Sequence, residues 1–161
     1  MLAALDLRLL RLMRTRGHWP PFERTVQGYA MAGEHGLLWH GIAAAGVVLH
    51  RRRRPVYLRT IRIALVTAVA NAAVKQLVRR ARPVLEEELP ALVPTLSGRS
   101  YPSAHSSISF AAAGALADAL PAPPLYAAAA AMALSRPYLG VHYPSDIVAG
   151  ALLGRALERL L

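Results

Sequence analysis

The stretch that decides the fold is YLRTIRIALVTAVANAAVKQLVR, residues 57–79. Crossing the roughly 30 Å hydrocarbon core of a bilayer takes about 20 helical residues at about 1.5 Å each. These 23 residues are mostly apolar, so the stretch predicts a transmembrane helix. Four other apolar segments are 16–18 residues long and need interfacial extensions or a locally thin bilayer to span: 35–50, 105–120, 124–141 and 145–161.

The composition extends this prediction to the whole chain of 161 residues. Hydrophobic residues make up 55%, and charged residues 17%, against about 25% in an average soluble domain. Disordered, collagenous and disulfide-rich proteins are excluded, and the length fits a single domain, 1–161. A soluble bundle is disfavoured because AAAGALADAL (111–120) and LYAAAAAMAL (125–134) have no polar stripe. The fold is therefore predicted to be an all-α polytopic membrane helix bundle, with about five transmembrane helices in a core over 35–161.

The N-terminal stretch, residues 1–16, is predicted to lie on the membrane rather than to cross it. Asp6 and several arginines interrupt the leucines, with Arg8, Arg11 and Arg14 spaced to share one side of a helix. This pattern favours an amphipathic interfacial helix with its guanidinium groups at the lipid head groups. A signal peptide is disfavoured because the charges run through the apolar region. Trp19 and Trp39 are interpreted as interfacial anchors.

Basic residues dominate the charge, which is +10, and 18 of the 19 are arginine. In so apolar a chain this favours contact with anionic lipid, and no motif for nucleic-acid binding is present. The run Arg51–Arg54 predicts a cytoplasmic loop by the positive-inside rule. PAPP at 121–124 is interpreted as a tight turn on the same side, and Glu86–Glu88 as a solvated tip. The connections 81–104 and 136–145 then share the opposite face.

Three clusters on that shared face carry groups suited to phosphate chemistry. Lys75 and Arg82 are seven residues apart, which predicts one helical face, and Pro83 marks the helix end. Arg79 and Arg80 are interpreted as snorkelling to the head groups. The second cluster, YPSAHS at 101–106, brings hydroxyls, backbone N–H groups and an imidazole to a helix start, although an ordinary helix cap would look alike.

The third cluster is SRPYLGVHYPSD, residues 135–146. His142 and Asp146 are four residues apart, so the carboxylate can accept one imidazole N–H and leave the other nitrogen free as a nucleophile. A purely structural His–Asp pair would show the same spacing. The pattern thus leaves both interpretations open when this cluster is considered alone.

Together the spacings K-x6-RP, PSxHS and SR-x5-H-x3-D, between Lys75 and Asp146, resemble the signature of the type-2 phosphatidic acid phosphatase superfamily, the lipid phosphate phosphatases. One departure is Ala104, where the family usually has glycine. If that position needed a positive φ, alanine would cost about 1 kcal/mol. If only its N–H is needed, alanine serves.

The resemblance implies hydrolysis through a phosphohistidine. His142 is expected to attack phosphorus, Asp146 to orient it, and His105 to protonate the leaving oxygen and then activate water. No metal or other cofactor is expected. The groups expected to hold the phosphoryl oxygens are Lys75, Arg82, Arg136, Ser103 and the N–H of Ala104.

The resemblance also implies a lipid phosphate substrate and an integral protein of a bacterial plasma membrane, with the site on the extracytoplasmic face. A polyprenyl phosphate-type cell-wall lipid such as decaprenylphosphoryl-phosphoribose is preferred, because small members often act on polyprenyl carriers and the Ala/Arg-rich composition resembles that of actinobacteria. The alternatives are a phosphatidate or phosphatidylglycerophosphate phosphatase, a lipid phosphotransferase, and a non-enzymatic transporter subunit that binds anionic lipid. The oligomeric state is not predicted.

Overall fold

The computed structural model describes residues 2–85, 89–95 and 97–161, and in these ranges the chain is all-helical, as predicted. The expected acidic tip at Glu86–Glu88 lies outside the described residues. Short 3-10 turns occupy Glu34–Gly36 and Arg51–Arg53. The α-helices are α1 Leu2–Thr15, α2 Pro20–Ala32, α3 Leu37–Leu49, α4 Arg54–Val78, α5 Ala104–Leu116, α6 Ala122–Tyr138 and α7 Pro144–Leu160.

The five apolar segments match α3–α7, but two connections are more helical than predicted. Arg51–Arg54 forms a 3-10 turn and the start of α4 instead of a loop, and Pro55 lies in the first turn of that helix. The PAPP sequence likewise begins α6 at Ala122. Proline is tolerated there because the first N–H groups of a helix need no intrahelical acceptor.

Helix α5 lies at the centre of the bundle, packed against α4, α6 and α7. Eleven of its 13 residues are buried. Its serines connect it to three other helices: Ser106 Oγ donates to Ile147 O at 2.6 Å, Asn71 Nδ2 donates to Ser107 Oγ at 3.0 Å, and Trp39 Nε1 donates to Ser109 Oγ at 2.8 Å. Hydrogen-bonded polar groups of this kind give α5 a single register in an otherwise alanine-rich core.

Glycine permits a close contact between α5 and α7. A Cβ on Gly150 would lie 2.6 Å from Ser103 O, and one on Gly154 only 2.1 Å from Ser107 O. These separations are shorter than any van der Waals contact, so larger residues would force the two helices apart. The close approach holds the first residues of α5 beside those of α7.

One helix in the described residues, Arg51–Val78, is long and apolar enough to cross a membrane by length and composition. Only 22% of its most apolar window is buried inside the protein, and Leu65, Val69 and Leu77 are exposed. That surface suits a lipid environment. Helices α3, α5, α6 and α7 have 13–17 residues, so the count of five spans stays a prediction.

Helix α1 is amphipathic, but its orientation differs from the prediction. The stripe Asp6, Leu10 and Arg14 is buried against the bundle, at 5%, 0% and 5% exposure. Arg14 therefore does not lie at the head groups, because its Nη2 donates to Pro90 O at 2.8 Å. Trp39, expected to be an interfacial anchor, is 1% exposed and belongs to the core.

Candidate active site

A cavity of about 430 Å³ gathers most of the predicted site residues at one end of the bundle. Ser103 and Asp146 are fully buried beside it, at the starts of α5 and α7, where Ser103 N donates to Asp146 O at 3.0 Å. The predicted residues that line the cavity are Lys75, Arg82, Ala104, His105, Arg136 and His142.

His142 lies in the short connection between α6 and α7 and is held by Asp146. Its Nδ1 is 3.4 Å from Asp146 Oδ2, and the same oxygen accepts the backbone N–H of Tyr143 at 2.9 Å. Tyr143 is the N-cap residue of α7, so the carboxylate also completes the first turn of that helix. The helix start thereby fixes the carboxylate that orients the imidazole.

The protonation of the other ring nitrogen of His142, Nε2, follows from its contact with Arg82. Arg82 Nη1 lies 3.2 Å from His142 Nε2. A guanidinium can only donate hydrogen bonds, so Nε2 must be the acceptor and Nδ1 carries the proton that is donated to Asp146. The lone pair of Nε2, the electron pair that a nucleophile uses, therefore points at Arg82, which lines the cavity together with His142.

The charge state of His142 agrees with this tautomer. Burial lowers its pKa to about 4, and the cations Arg82 and Arg136 also lower it, while the hydrogen bond to Asp146 acts in the opposite direction. The imidazole is therefore neutral at neutral pH. A neutral imidazole has the free electron pair needed for attack on phosphorus.

Arg82 reaches the cavity by a different route from the one predicted. Helix α4 ends before Arg79, which adopts a left-handed conformation at φ +53. Residues 80–82 then run beside 98–100, with Arg82 N donating to Gly98 O at 3.1 Å. Lys75 and Arg82 thus share the cavity but not one helical face, because a backbone contact places Arg82.

Two other cations complete the electropositive wall of the cavity. Lys75 Nζ donates to Arg99 O at 3.3 Å and to Ser100 O at 3.2 Å, which anchors it near the end of α4. Arg136 is 3% exposed, and within the described residues its Nε has no hydrogen-bond partner. Since a buried N–H without an acceptor is unfavourable, an anion bound in the cavity would supply Arg136 with the acceptor that its Nε lacks.

The start of α5 answers the question raised by alanine at position 104. Ala104 is the first helical residue and does not adopt a positive φ, so replacing glycine carries no conformational penalty. Ser103 is the N-cap, and its Oγ accepts from Ser106 N at 3.4 Å. Its side chain is thus used by the helix, whereas Ala104 itself lines the cavity.

His105, the second residue of α5, lines the cavity and is oriented by contacts with residues in and just after α2. Its Nε2 is 3.1 Å from Ala30 O and 3.6 Å from Glu34 Oε1. A carbonyl can only accept, so Nε2 carries a proton in this arrangement. Sequence spacing did not indicate either partner, because both are about 70 residues away.

The prediction for Arg80 is also wrong. It does not snorkel to head groups but bridges two carboxylates: Nη1 donates to Asp146 Oδ1 at 2.9 Å and Nη2 to Asp6 Oδ2 at 2.8 Å. Its guanidinium also lies 4.0 Å from the ring centre of Tyr143. The signal that could have indicated this was Asp6 itself, a carboxylate inside an otherwise apolar helical stripe.

No cluster of three or more His, Asp or Glu side chains able to hold a metal ion occurs in the part of the chain that the structure describes. The cavity combines the three cations Lys75, Arg82 and Arg136 with His105 and His142, and His35 and Glu34 also line it. Such a set can bind a phosphoryl group, deliver a nucleophile and transfer a proton.

The chain is similar to a known family and to several named proteins. Residues 56–161 match the model of the PAP2 superfamily. Decaprenylphosphoryl-5-phosphoribose phosphatase of Mycobacterium tuberculosis is 38% identical over 145 residues, which cover 88% of this chain and 80% of that protein. The enzyme of the same name from Mycolicibacterium smegmatis is 41% identical over 120 residues, covering 73% of this chain and 65% of that one.

Two solved structures share the fold. Aquifex aeolicus LpxE superposes with a TM-score of 0.78 at 23% identity, covering 97% of this chain and 93% of that one. The first transmembrane PAP2-type phosphatidylglycerolphosphate phosphatase from Bacillus subtilis also gives 0.78, at 24% identity, with 99% and 83% covered. Both likenesses extend over nearly all of this chain, including α1 and α2.

Proposed function

The chain belongs to the PAP2 superfamily, and we propose that this lipid phosphatase hydrolyses the phosphomonoester of a polyprenyl-linked sugar phosphate of the decaprenylphosphoryl-5-phosphoribose type. The observation that carries this choice of substrate is the 38% identity, over 88% of the chain, to a phosphatase of that name. Similarity of this extent supports a shared reaction.

The cavity has an apolar side that suits the polyprenyl chain of such a substrate and a cationic side that suits its phosphate. Its apolar side is formed by Leu65, Ala68 and Ala72 of α4 together with Ile108 of α5. Helix α4 has an exposed apolar surface that includes Leu65, Val69 and Leu77. A lipid would therefore enter along α4 with its hydrocarbon chain toward the membrane and its phosphate against the cations.

The proposed reaction has two displacements. His142 Nε2 attacks phosphorus while the P–O ester bond breaks, and the leaving oxygen takes a proton from His105. Water, deprotonated by His105, then attacks the phosphohistidine, so that the P–N bond breaks and phosphate leaves. Asp146 stabilises the positive imidazole in between, and the cations stabilise the transferring phosphoryl charge.

We also propose a multi-pass arrangement with the site on the extracytoplasmic face. The arginine-rich turn before α4 lies at the end opposite the site and beside the α5–α6 connection, because Arg53 Nη1 donates to Ala119 O at 2.7 Å. The positive-inside rule favours the cytoplasm for that end. The cavity, near the other end of α4, then faces outward.

The substrate is tested with purified protein in detergent plus EDTA. Phosphate release is measured from decaprenylphosphoryl-5-phosphoribose, phosphatidate and phosphatidylglycerophosphate, with His142→Ala as the inactive control. The highest kcat/KM is expected for the polyprenyl-linked sugar phosphate. A higher value for either glycerolipid contradicts the substrate, and phosphate appearing on an acceptor other than water indicates a phosphotransferase.

The topology is tested separately with reporter fusions. A reporter inserted at Pro123 should report the cytoplasm, and one at Glu87 the extracytoplasmic side. The reverse pattern would place the cavity on the cytoplasmic face without changing the proposed reaction.

A further inference from the structure

We propose that Asp6, on the N-terminal helix, is a positioning residue for the active site, acting through Arg80 and Ser145 on Asp146 and thereby on His142. Asp6 lies outside the residues that match the family model, 56–161. The inference rests on the proposed function, in which His142 is the nucleophile. Neither Asp6 nor Arg80 lines the cavity, so neither is expected to touch substrate.

Asp146 is 0% exposed, and its two oxygens have different partners. Oδ2 faces His142 Nδ1 and Tyr143 N, whereas Oδ1 accepts from Arg80 Nη1 at 2.9 Å. A carboxylate buried this deeply needs both oxygens paired. Arg80 therefore fixes the plane of the carboxylate that orients the nucleophile.

Arg80 is itself held in place by Asp6 and Ser145. Its other terminal nitrogen donates to Asp6 Oδ2 at 2.8 Å. Ser145 contributes to the same junction, because its backbone N donates to Asp6 Oδ1 at 2.9 Å, its hydroxyl bonds Asp6 Oδ2, and its Oγ accepts from Arg80 Nη1 at 2.7 Å. Asp6 thus holds both the guanidinium and the first turn of α7.

The charge of Asp6 supports this role. Burial alone would raise its pKa, but hydrogen bonds from Ser145 and Arg80 lower the pKa below its ordinary value. The carboxylate is therefore ionised, and charges alternate from Asp6 through Arg80 and Asp146 to the imidazole, which becomes positive when phosphorylated.

Loss of Asp6 is expected to lower kcat rather than to weaken substrate binding. Without the negative charge of Asp6, Arg80 neutralises Asp146 more completely, so that Asp146 stabilises the phosphorylated imidazole less. The phosphate-holding cations are unchanged by this loss. A fall in kcat with nearly constant KM is the signature of an interaction made mainly in the transition state.

A simpler role for α1 is mechanical attachment, and the chain provides a matched control for it. Arg14, on the same buried stripe, fastens α1 through Pro90 O at 2.8 Å and Tyr138 O at 3.4 Å without contacting Arg80 or Asp146. Loosening α1 at Arg14 tests attachment alone. Loss of Asp6 tests attachment together with the effect of its charge on Arg80 and Asp146.

The experiment compares Asp6→Asn, Arg80→Gln, the double variant and Arg14→Gln, each checked for folding by its thermal melt in detergent. Asp6→Asn should lower kcat about 10-fold, typical of a residue behind the reacting groups, with KM within about twofold. The double variant should be no worse than Arg80→Gln by more than about twofold. Arg14→Gln should stay within about threefold of the wild type.

A second readout does not depend on turnover. In 15N NMR of labelled histidine, Asp6→Asn should lower the pKa of His142 relative to wild type, because a negative charge is lost, whereas Arg14→Gln should leave it unchanged.

If Asp6→Asn does not fold, Ser145→Ala is measured instead and should lower kcat several-fold. An unchanged kcat and an unchanged His142 pKa, or equal effects of Asp6→Asn and Arg14→Gln, overturn the proposal. Failure of the proposed function would appear differently, as no phosphate release by the wild type.

Discussion

The two ends of the helix bundle are both rich in arginine, but they use it differently. At the end where α4 begins, Arg53 donates to Ala119 O, Arg59 pairs with Asp118, and Arg62 donates to Leu161 O. At the end where α4 finishes, Arg82 contacts the acceptor nitrogen of His142, and Arg136 is buried with its Nε unpartnered among the described residues.

The difference shows how a structural cation can be told from a ligand-binding one in so basic a chain. The first set is satisfied by carbonyls and carboxylates of the protein itself, in exposed or half-exposed positions where such contacts contribute little. The second set lines a cavity, where Arg82 also donates to Ser97 O at 2.6 Å and to Val141 O at 2.7 Å, but Arg136 keeps a buried Nε without a partner among the described residues. Arg80 belongs to neither set, because two buried carboxylates already satisfy it.

The largest expected contrast between the ends is at histidine. His142→Gln should lower kcat by about 10³-fold or more, since it removes the nucleophile. His50→Gln, at the arginine-rich turn before α4, should stay within about twofold. Steady-state phosphate release from the lipid substrate measures both. Equal activity in the two variants would remove the distinction between the ends.

The next contrast uses arginine against arginine. Arg136→Gln should lower kcat/KM by about 10²-fold, because a desolvated charge facing the transferring phosphoryl group is lost. Arg53→Gln loses only an exposed hydrogen bond and should change kcat/KM by no more than about twofold. A comparable loss in both variants would mean that burial does not distinguish the two roles.

A third test measures how the charged groups around the cavity set the pKa of His142. Burial and the nearby cations hold the pKa of His142 at about 4, against the opposing hydrogen bond from Asp146. Arg82→Gln should therefore raise this pKa, and Asp146→Asn should lower it. Titration of 15N-labelled histidine by NMR measures both directions. A lower pKa in Arg82→Gln would contradict the assigned tautomer and contact.

The smallest expected effect concerns the packing that holds the site together. Gly154→Ala places a Cβ against Ser107 O in the α5–α7 contact and should destabilise the protein by about 1–3 kcal/mol. Gly28→Ala, where a Cβ meets nothing within 4 Å, should be neutral or stabilising by up to about 1 kcal/mol. Thermal melts in detergent compare them, and equal melting temperatures would contradict the close packing of α5 and α7.

Local patterns predicted the helices and most of the cavity. The apolar segments located α3–α7, and the pair His142 and Asp146 could be recognised because both residues lie on one turn. Lys75 and Arg136 were likewise placed by their motifs. The helices and the pairing of His142 with Asp146 depend on spacings of a few residues, whereas the roles of Lys75 and Arg136 were implied only by the three motifs taken together.

Contacts between distant segments were not predictable from such patterns. Arg82 was assigned to a helix because its spacing from Lys75 is helical, yet Arg79 ends that helix and a pairing with 98–100 redirects the chain. Arg80 was interpreted as a surface cation because its partners are 66 and 74 residues away in sequence. Only the tertiary structure brings Asp6 to them.

The most direct test of the central claim is to trap the intermediate. Protein mixed rapidly with a lipid substrate carrying a labelled phosphate is quenched at alkaline pH, at which phosphohistidine survives, and then digested for mass spectrometry. Labelled phosphate on the peptide containing His142, absent from His142→Gln, is the predicted result. Label on another residue, or turnover with no labelled peptide at any mixing time, would contradict the assignment of His142 as the nucleophile.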